Sequence, residues 1–264
     1  MEFAFDPKHG DNVTVEMYRD RYGPKSDRFG NPRVRPVLRC LACNVPLHTV
    51  AENIPTSVAT WGHDPSPGVF CPIKAEGGHR YELLTPTDGS PAAGRALRAS
   101  FFNNWQDHWG HIRTLASYPE IYTLIGFLKA ADKSNFWNFR NLDEWHIPYV
   151  FLATCEFPPP TGKASSHRKE WLRFRFDARY RTLADLWIEA NPDFGFIRLR
   201  YQNPPRKSEP GPSEFISAEP ITPDPNWPSM SHQTAHQFAI KKMCEAFPLD
   251  LPSPILNTAL QGRP

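Results

Sequence analysis

Four cysteine and histidine residues in the first third of the chain constrain its fold more than any other feature. Their spacing is Cys40-x2-Cys43-x19-His63-x7-Cys71. Structural zinc is held by four thiolate or imidazole ligands in a tetrahedron, and a Cys-x-x-Cys pair commonly supplies two of them. Because protein ligands would fill all four positions, we expect a structural Zn2+ ion with no open position for water.

The identity of the fourth ligand stays open on spacing alone. His48 and His79 lie close enough in the sequence to replace His63 as the imidazole ligand. Five prolines between residues 46 and 72 would interrupt any helix in this region, so short strands and knuckle-like turns are the expected structure around the metal.

Composition excludes several classes of protein. The 264 residues carry 30 basic and 28 acidic side chains, a net charge of +2, so any nucleic-acid surface must be local. No P-loop or Gly-x-Gly-x-x-Gly motif occurs, which argues against a nucleotide cofactor. No apolar run approaches the roughly 20 residues of a spanning helix, and the first residues do not resemble a secretion signal. An odd number of cysteines indicates a reducing compartment, so we expect a cytoplasmic protein without a membrane partner.

Apolar spacing predicts two helices after residue 90. Ser90 suits an N-cap and Pro91 a first helical turn, and aromatic residues then recur every three or four positions. This pattern predicts one helix over residues 91–117, and a similar pattern predicts a second over 119–132. The continuous apolar run over 149–153, bounded by prolines, predicts a buried strand.

Two segments with period-two alternation predict strands in which arginines line one face. In residues 172–181 and 196–201, apolar side chains alternate with arginines, and residues 163–207 contain eleven basic against five acidic side chains. Such arginines could contact phosphates while nearby aromatic rings stack on bases, although an ordinary solvated sheet face has the same pattern. The candidate nucleic-acid-binding residues are Arg173, Arg175, Arg179, Arg181, Arg198 and Arg200.

The remaining segments complete the predicted architecture. Residues 1–36 are expected to form a basic arm or a short hairpin. Eight prolines in residues 203–228 predict a linker or an extended surface segment, and a final helix is predicted over 232–247. The predicted fold is α+β, with a zinc-ribbon-like N-terminal module, residues 1–90, packed on a mixed domain, residues 91–264, that has an antiparallel sheet and short helices.

Three stretches around the metal ligands carry a family resemblance. They read Arg39-Cys40-Leu41-Ala42-Cys43, Thr60-Trp61-Gly62-His63-Asp64-Pro65 and Phe70-Cys71-Pro72. Over about residues 37–75 the chain thereby resembles the zinc ribbon of the competence CoiA-like proteins and related bacterial proteins. The resemblance implies the same four zinc ligands, a bacterial DNA-processing or defence context, and DNA rather than RNA as partner. In that family the ribbon often precedes a restriction-type nuclease domain.

The chain departs from such a nuclease, because no Asp followed by Glu-x-Lys occurs on strand-like sequence to hold Mg2+. We find no other convincing catalytic set and therefore expect a non-catalytic nucleic-acid-binding protein. One alternative is an accessory protein that docks on a protein partner through the zinc module and an aromatic helix face containing Phe101, Trp105 and Trp109. A second alternative is a degenerate nuclease with Asp177 or Asp185 as metal ligands.

Overall fold

A computed structural model describes most of the chain. The described residues are 3–41, 43–54, 56–63, 71, 81–177, 179–180, 182–188, 194–205, 209–229 and 235–251. Helices and antiparallel sheets are both present in this part of the protein, so the predicted α+β class is confirmed. The division of the chain at residue 90 stays a prediction.

The N-terminal region consists of two small hairpins and one helix. Strands β1 (Ala4–Asp6) and β2 (Asp11–Val13) pair with each other, as do β3 (His48–Val50) and β4 (Thr60–Gly62). Between them lies helix α1 (Val15–Tyr22), which the sequence analysis did not predict. The Trp61 indole on β4 packs edge-on against Tyr18 of α1, and this contact joins the hairpins into one small core.

The helical part of the fold follows the apolar spacing with one interruption. Helices α2 (Pro91–Asn103) and α3 (Trp105–Leu115) occupy the span predicted as one helix, and α4 (Ile121–Lys133) matches the second prediction. The break falls at Asn104, whose φ of −110° leaves the helical region and whose side-chain amide donates to Glu144, 3.1 Å away. This hydrogen bond is a tertiary contact to a residue 40 positions away, which the apolar spacing of the segment does not show.

The segment predicted as a buried strand is instead helix α5 (Ile147–Thr154). Seven consecutive residues of this helix are buried on every side, so its sequence shows neither helical nor strand periodicity. A continuous apolar run does not distinguish the two structures, and Pro148 in the first turn was the available signal for a helix. The prediction of a strand over 149–153 was therefore wrong.

A three-stranded antiparallel sheet packs against these helices. Its strands are β5 (Trp171–Phe176), β6 (Phe196–Tyr201) and β7 (Phe215–Ile221), with β6 in the centre. Strand β7 lies inside the proline-rich segment 203–228, so this part of the segment is extended but belongs to the sheet. Pro220 has no N–H to donate and is accommodated because β7 pairs only with β6. The last helix, α6 (Gln237–Ala246), lies within the predicted span.

The sheet packs on different partners through its two faces. Phe174, Phe176 and Phe196 belong to the large aromatic core formed with helices α2 to α6. On the opposite face, Ile197 and Leu199 pack with the cysteines of the N-terminal region in a second core. In the described part of the chain, no helix is long and apolar enough to cross a membrane.

Candidate metal centre and basic hairpin

The four predicted metal ligands meet in one buried cluster. Their ligand atoms all lie within 4.8 Å of one another, and all four side chains are buried. The Cys40 and Cys71 sulfurs are 4.0 Å apart, and the His63 Nε2 atom is 3.6 Å from the Cys43 sulfur and 3.4 Å from that of Cys71. This arrangement could hold a metal ion.

Three short elements bring these ligands together. The Cys40 N–H donates to Val45 and the Asn44 N–H donates back to the Cys40 carbonyl, both at 2.9 Å, so the chain turns tightly between the first two cysteines. Asn44 takes the left-handed conformation that this turn requires, with φ of 57°. His63 follows β4 directly, and Cys71 is the next residue along the chain that the structure describes.

Ionisation of the cluster cysteines is unfavourable when no cation is bound. Hydrogen bonds with the sulfurs of Cys43 and Cys71, together with burial, raise the pKa of the Cys40 thiol far above its ordinary range. Three buried thiols in contact resist ionisation because each thiolate repels the next, and a divalent cation removes that penalty. His48, one of the two alternatives to His63, is exposed on β3 and outside the cluster. His79, the other, lies outside the described residues.

The predicted arginine face does not exist, because the register of the sheet distributes the arginines over both faces. Arg173 pairs across the sheet with Leu199, whereas Arg198 pairs with Phe174. Residues directly opposite each other share a face. Arg173 and Arg175 therefore lie on the side of the cysteine cluster, and Arg198 lies on the opposite side.

Arg173 and Arg175 are buried rather than available to a nucleic acid, with 2% and 1% of their surfaces exposed. The Arg173 guanidinium bonds both oxygens of Glu156, at 2.7 and 2.9 Å, and lies over the Tyr201 ring. Within the described part of the chain, Arg175 donates only to the backbone carbonyls of Ala153 and Phe174. Neither guanidinium is exposed to a phosphate in this structure, and their role in binding nucleic acid stays a prediction without structural support.

The other candidate arginines are neutralised or lie outside the described residues. Arg198 and Arg200 are half-buried and both bond Glu219 at the sheet edge, and Arg200 also bonds Glu170. Arg179 is exposed and pairs with Asp177, 2.9 Å away. Arg181 lies outside the described residues. These pairings leave little free positive charge on the described arginines of the sheet and its edge.

The residues named in the two alternative functions are buried or make hydrogen bonds within the protein. Phe101, Trp105 and Trp109 are buried in the aromatic core, so they form no docking surface. The Asp177 carboxylate accepts hydrogen bonds from Arg179 and from the Gly195 N–H. Among the described residues, the cysteine and histidine cluster is the only group of three or more potential ligands, and Asp177 and Asp185 belong to no such group.

A basic hairpin in the N-terminal region carries the free charge that the sheet lacks. We use this name for residues 25–33, where the Arg33 N–H donates to the Lys25 carbonyl and the Asp27 N–H donates to the Asn31 carbonyl. Lys25, Arg28 and Arg33 are exposed and form no ion pair with a described residue. A short hairpin was one of the two structures expected for residues 1–36, but this span also contains β1, β2 and helix α1, which were not predicted.

The tip of the basic hairpin is held by one carboxylate. Asp27 accepts hydrogen bonds from the N–H groups of Phe29 and Asn31, at 2.8 and 2.9 Å, and from the Asn31 side chain. The Asn31 side-chain and backbone hydrogen bonds lower the pKa of Asp27. Gly30 supplies the positive φ of 86° that the turn needs. A preorganised tip of this kind can present side chains without further ordering.

Phe29 at this tip is the residue that the sequence analysis missed. Its side chain is 74% exposed, and the Arg28 guanidinium lies 4.7 Å from the ring centroid. An aromatic residue between turn formers, in Asp-Arg-Phe-Gly-Asn, was the available signal that this ring would lie at a loop tip instead of in a core.

Comparison with known proteins adds no identification. Neither protein-family models, nor curated proteins, nor solved structures yield a match to this chain.

Proposed function

We propose that this chain is a zinc-stabilised, non-catalytic nucleic-acid-binding protein whose contact surface is the basic hairpin. The observation that carries the proposal is that one short hairpin exposes the ring of Phe29 and three cations, Lys25, Arg28 and Arg33, that form no ion pair with a described residue. This surface replaces the arginine strands, whose charges are buried or paired.

Zinc is the ion that fits the cluster best. With Zn–S bonds of about 2.3 Å and Zn–N bonds of about 2.0 Å, a tetrahedral site has S–S edges of about 3.8 Å and S–N edges of about 3.5 Å. The corresponding distances here are 4.0 Å between sulfurs and 3.4 and 3.6 Å between sulfur and nitrogen. Since Cys40, Cys43, His63 and Cys71 would fill the tetrahedron, the ion would have a structural role.

Local charge supports a polyanionic partner. Residues 23–39 contain five basic side chains, Lys25, Arg28, Arg33, Arg35 and Arg39, against one acidic side chain, Asp27, so this segment has a net charge of +4 in a chain whose total is +2. Only Arg35 among these cations forms a close ion pair with a described carboxylate, that of Glu52. Exposed cations gain affinity for nucleic acid by releasing counterions from phosphates.

The biological setting in this proposal rests on the chemistry of the cysteines and on the family resemblance. Thiolate ligands require a reducing compartment, which supports a cytoplasmic location. The resemblance of residues 37–75 to the CoiA-like ribbon supports a bacterial DNA-processing or defence system and favours DNA over RNA. A protein partner is the competing proposal, and exposed apolar side chains such as Val34 and Val58 are the features that favour it.

Charge reversal on the basic hairpin tests the proposed function. We expect the combined variant Lys25→Glu, Arg28→Glu and Arg33→Glu to bind a labelled oligonucleotide at least about tenfold more weakly than the natural chain at low salt. Fluorescence anisotropy measures the affinity.

A matched control is available on the helices. Arg95, Lys129 and Lys241 are also exposed and form no ion pair with a described residue, so reversing all three changes the net charge equally. The proposal requires this variant to retain nearly the affinity of the natural chain. Equal weakening by both variants would indicate a nonspecific charge effect, and absence of binding by the natural chain would refute the proposal.

A further inference from the structure

The Phe29 ring has one face covered by Arg28 and is otherwise largely exposed, so it can serve as a stacking surface. The Arg28 guanidinium lies over the ring at 4.7 Å from its centroid, while 74% of the side chain remains exposed. Exposing so much of an aromatic ring to water is unfavourable, yet the hydrogen bonds of Asp27 fix the turn that presents it. A planar partner could therefore stack on the open side of the ring.

Two exposed cations lie on the arms of the hairpin that carries the ring. Lys25 and Arg33 lie directly across the hairpin from each other, because the Arg33 N–H donates to the Lys25 carbonyl at 2.9 Å. The aromatic tip thus projects from two arms that each carry an exposed cation. Bases that stack on aromatic side chains while the strand backbone meets Lys or Arg are the usual mode of single-strand binding.

Double-stranded DNA fits this arrangement less well. In a duplex the bases are already stacked, so a ring at a loop tip reaches a base face only after a base step is opened, at a cost of a few kcal/mol per step. An unpaired base offers its face directly. We infer that the basic hairpin binds single-stranded nucleic acid, with one base stacked on Phe29 and the flanking phosphates beside Lys25 and Arg33.

This inference rests on the proposed function and is tested separately from it. Four labelled probes of equal length are compared: single-stranded DNA, single-stranded RNA, an abasic DNA strand and duplex DNA. The natural chain should bind the base-containing single strands more tightly than the abasic strand by about fivefold to a hundredfold, the range expected for one stacked base.

Substitution of Phe29 identifies the stacking residue. Phe29→Ala should reduce affinity for the base-containing strands to about that for the abasic strand and leave abasic binding unchanged, whereas Phe29→Trp should retain tight binding. Loss with Phe29→Ala on the DNA strand, the RNA strand or both supports stacking and identifies the sugar that is accepted. Val34→Ala is the control, because Val34 is fully exposed just beyond the hairpin and should have no effect.

Two results would overturn the inference while leaving the proposed function intact. One is equal affinity of the natural chain for the abasic and base-containing strands. The other is unchanged single-strand affinity in Phe29→Ala. If the natural chain binds none of the four probes, the proposed function itself fails.

Discussion

At the scale of single residues, two buried arginines on β5 differ in how their charges are compensated. Arg173 is neutralised by Glu156, whose second contact is the Trp171 indole N–H. Among the described residues, Arg175 donates only to backbone carbonyls, and its Nε and Nη2 atoms find no hydrogen-bond partner there; burial lowers its pKa, although the charge of the nearby Glu156 opposes this. A buried charge without a direct ion pair contributes little to stability.

The difference predicts unequal effects of the same substitution. Arg173→Met removes both hydrogen bonds to the half-buried Glu156 carboxylate and should lower the free energy of unfolding by about 3 kcal/mol. Arg175→Met removes a charge that has no direct ion pair with a described residue and should change it by no more than about 1 kcal/mol. Urea denaturation measures both variants. Equal losses would contradict this description of the two sites.

Glu144 is the residue that should couple stability to acidic pH. Partial burial raises the pKa of this carboxyl group, but hydrogen bonds from His108, Ser100 and Asn104 outweigh burial and lower the pKa from 4.5 to about 2. Because the folded pKa is lower than the unfolded one, the stabilisation is present above the unfolded value and is lost as pH falls from about 4.5 toward 2.

Comparison with Glu144→Gln isolates this contribution. The natural chain should lose about 1–2 kcal/mol more than the variant between pH 6 and pH 2, a value limited by solvent screening of the partly exposed carboxylate. Thermal unfolding across this pH range measures the difference. Parallel pH profiles would show that Glu144 is not the coupled group.

At the scale of secondary structure, two helical glycines have opposite roles. A Cβ atom at Gly94 of α2 would lie 2.0 Å from the Asn138 Oδ1 atom and 3.0 Å from the Trp137 backbone, whereas one at Gly126 of α4 would meet nothing within 4 Å. Gly94 therefore permits the close packing of α2 on the turn that contains Trp137 and Asn138, whereas Gly126 has no such function.

Alanine substitution should separate these roles. Gly94→Ala should lower the free energy of unfolding by about 1–3 kcal/mol through steric overlap, despite the higher helix propensity of alanine. Gly126→Ala should raise it by about 0.5–1 kcal/mol. The two variants are compared in one denaturation series. Stabilisation by Gly94→Ala would show that the neighbouring turn moves freely.

Sequence alone predicted the elements whose pattern is local. The spacing of the cysteines and His63 identified the metal cluster, and apolar repeats located α2, α3 and α4. The prediction failed where the outcome depends on tertiary structure. Helix α5 is apolar on every side and has no period to read. The register of β5 against β6, which separates Arg173 from Arg198, is set by packing on both faces and not by either strand alone.

The hairpin and Phe29 illustrate the same limit at the candidate binding surface. Their charge and turn residues could be read from the sequence, and an arm or hairpin was expected there. The exposure of Phe29 could not be predicted, because apolar side chains usually enter a core. Here the turn fixed by the hydrogen bonds of Asp27 presents the ring to solvent.

At the scale of the whole molecule, the cluster of three cysteines and His63 joins the N-terminal region to the sheet. The three cluster cysteines pack in one hydrophobic group with sheet residues, among them Trp171, Ile197 and Tyr201. Release of the ion would leave three thiols and an imidazole in the middle of this contact. Binding free energy at such a site is therefore also folding free energy.

Thiol reactivity should report this coupling. In the metal-bound protein, Cys155 and Cys244, which are half-buried and outside the cluster, should react with a thiol reagent while the three cluster cysteines are protected. After chelation all five cysteines should react, and the melting temperature should fall. Identical reactivity before and after chelation would contradict a bound structural ion.

The salt dependence of oligonucleotide binding tests the central claim most directly. If the three cations of the basic hairpin contact phosphates, the logarithm of the association constant should fall with the logarithm of salt concentration with a slope of about −2 for a single strand. Reversal of Lys25, Arg28 and Arg33 should bring this slope close to zero, whereas reversal of Arg95, Lys129 and Lys241 should leave it unchanged. A slope near zero for the natural chain, or the same slope after hairpin reversal, would contradict binding through this surface.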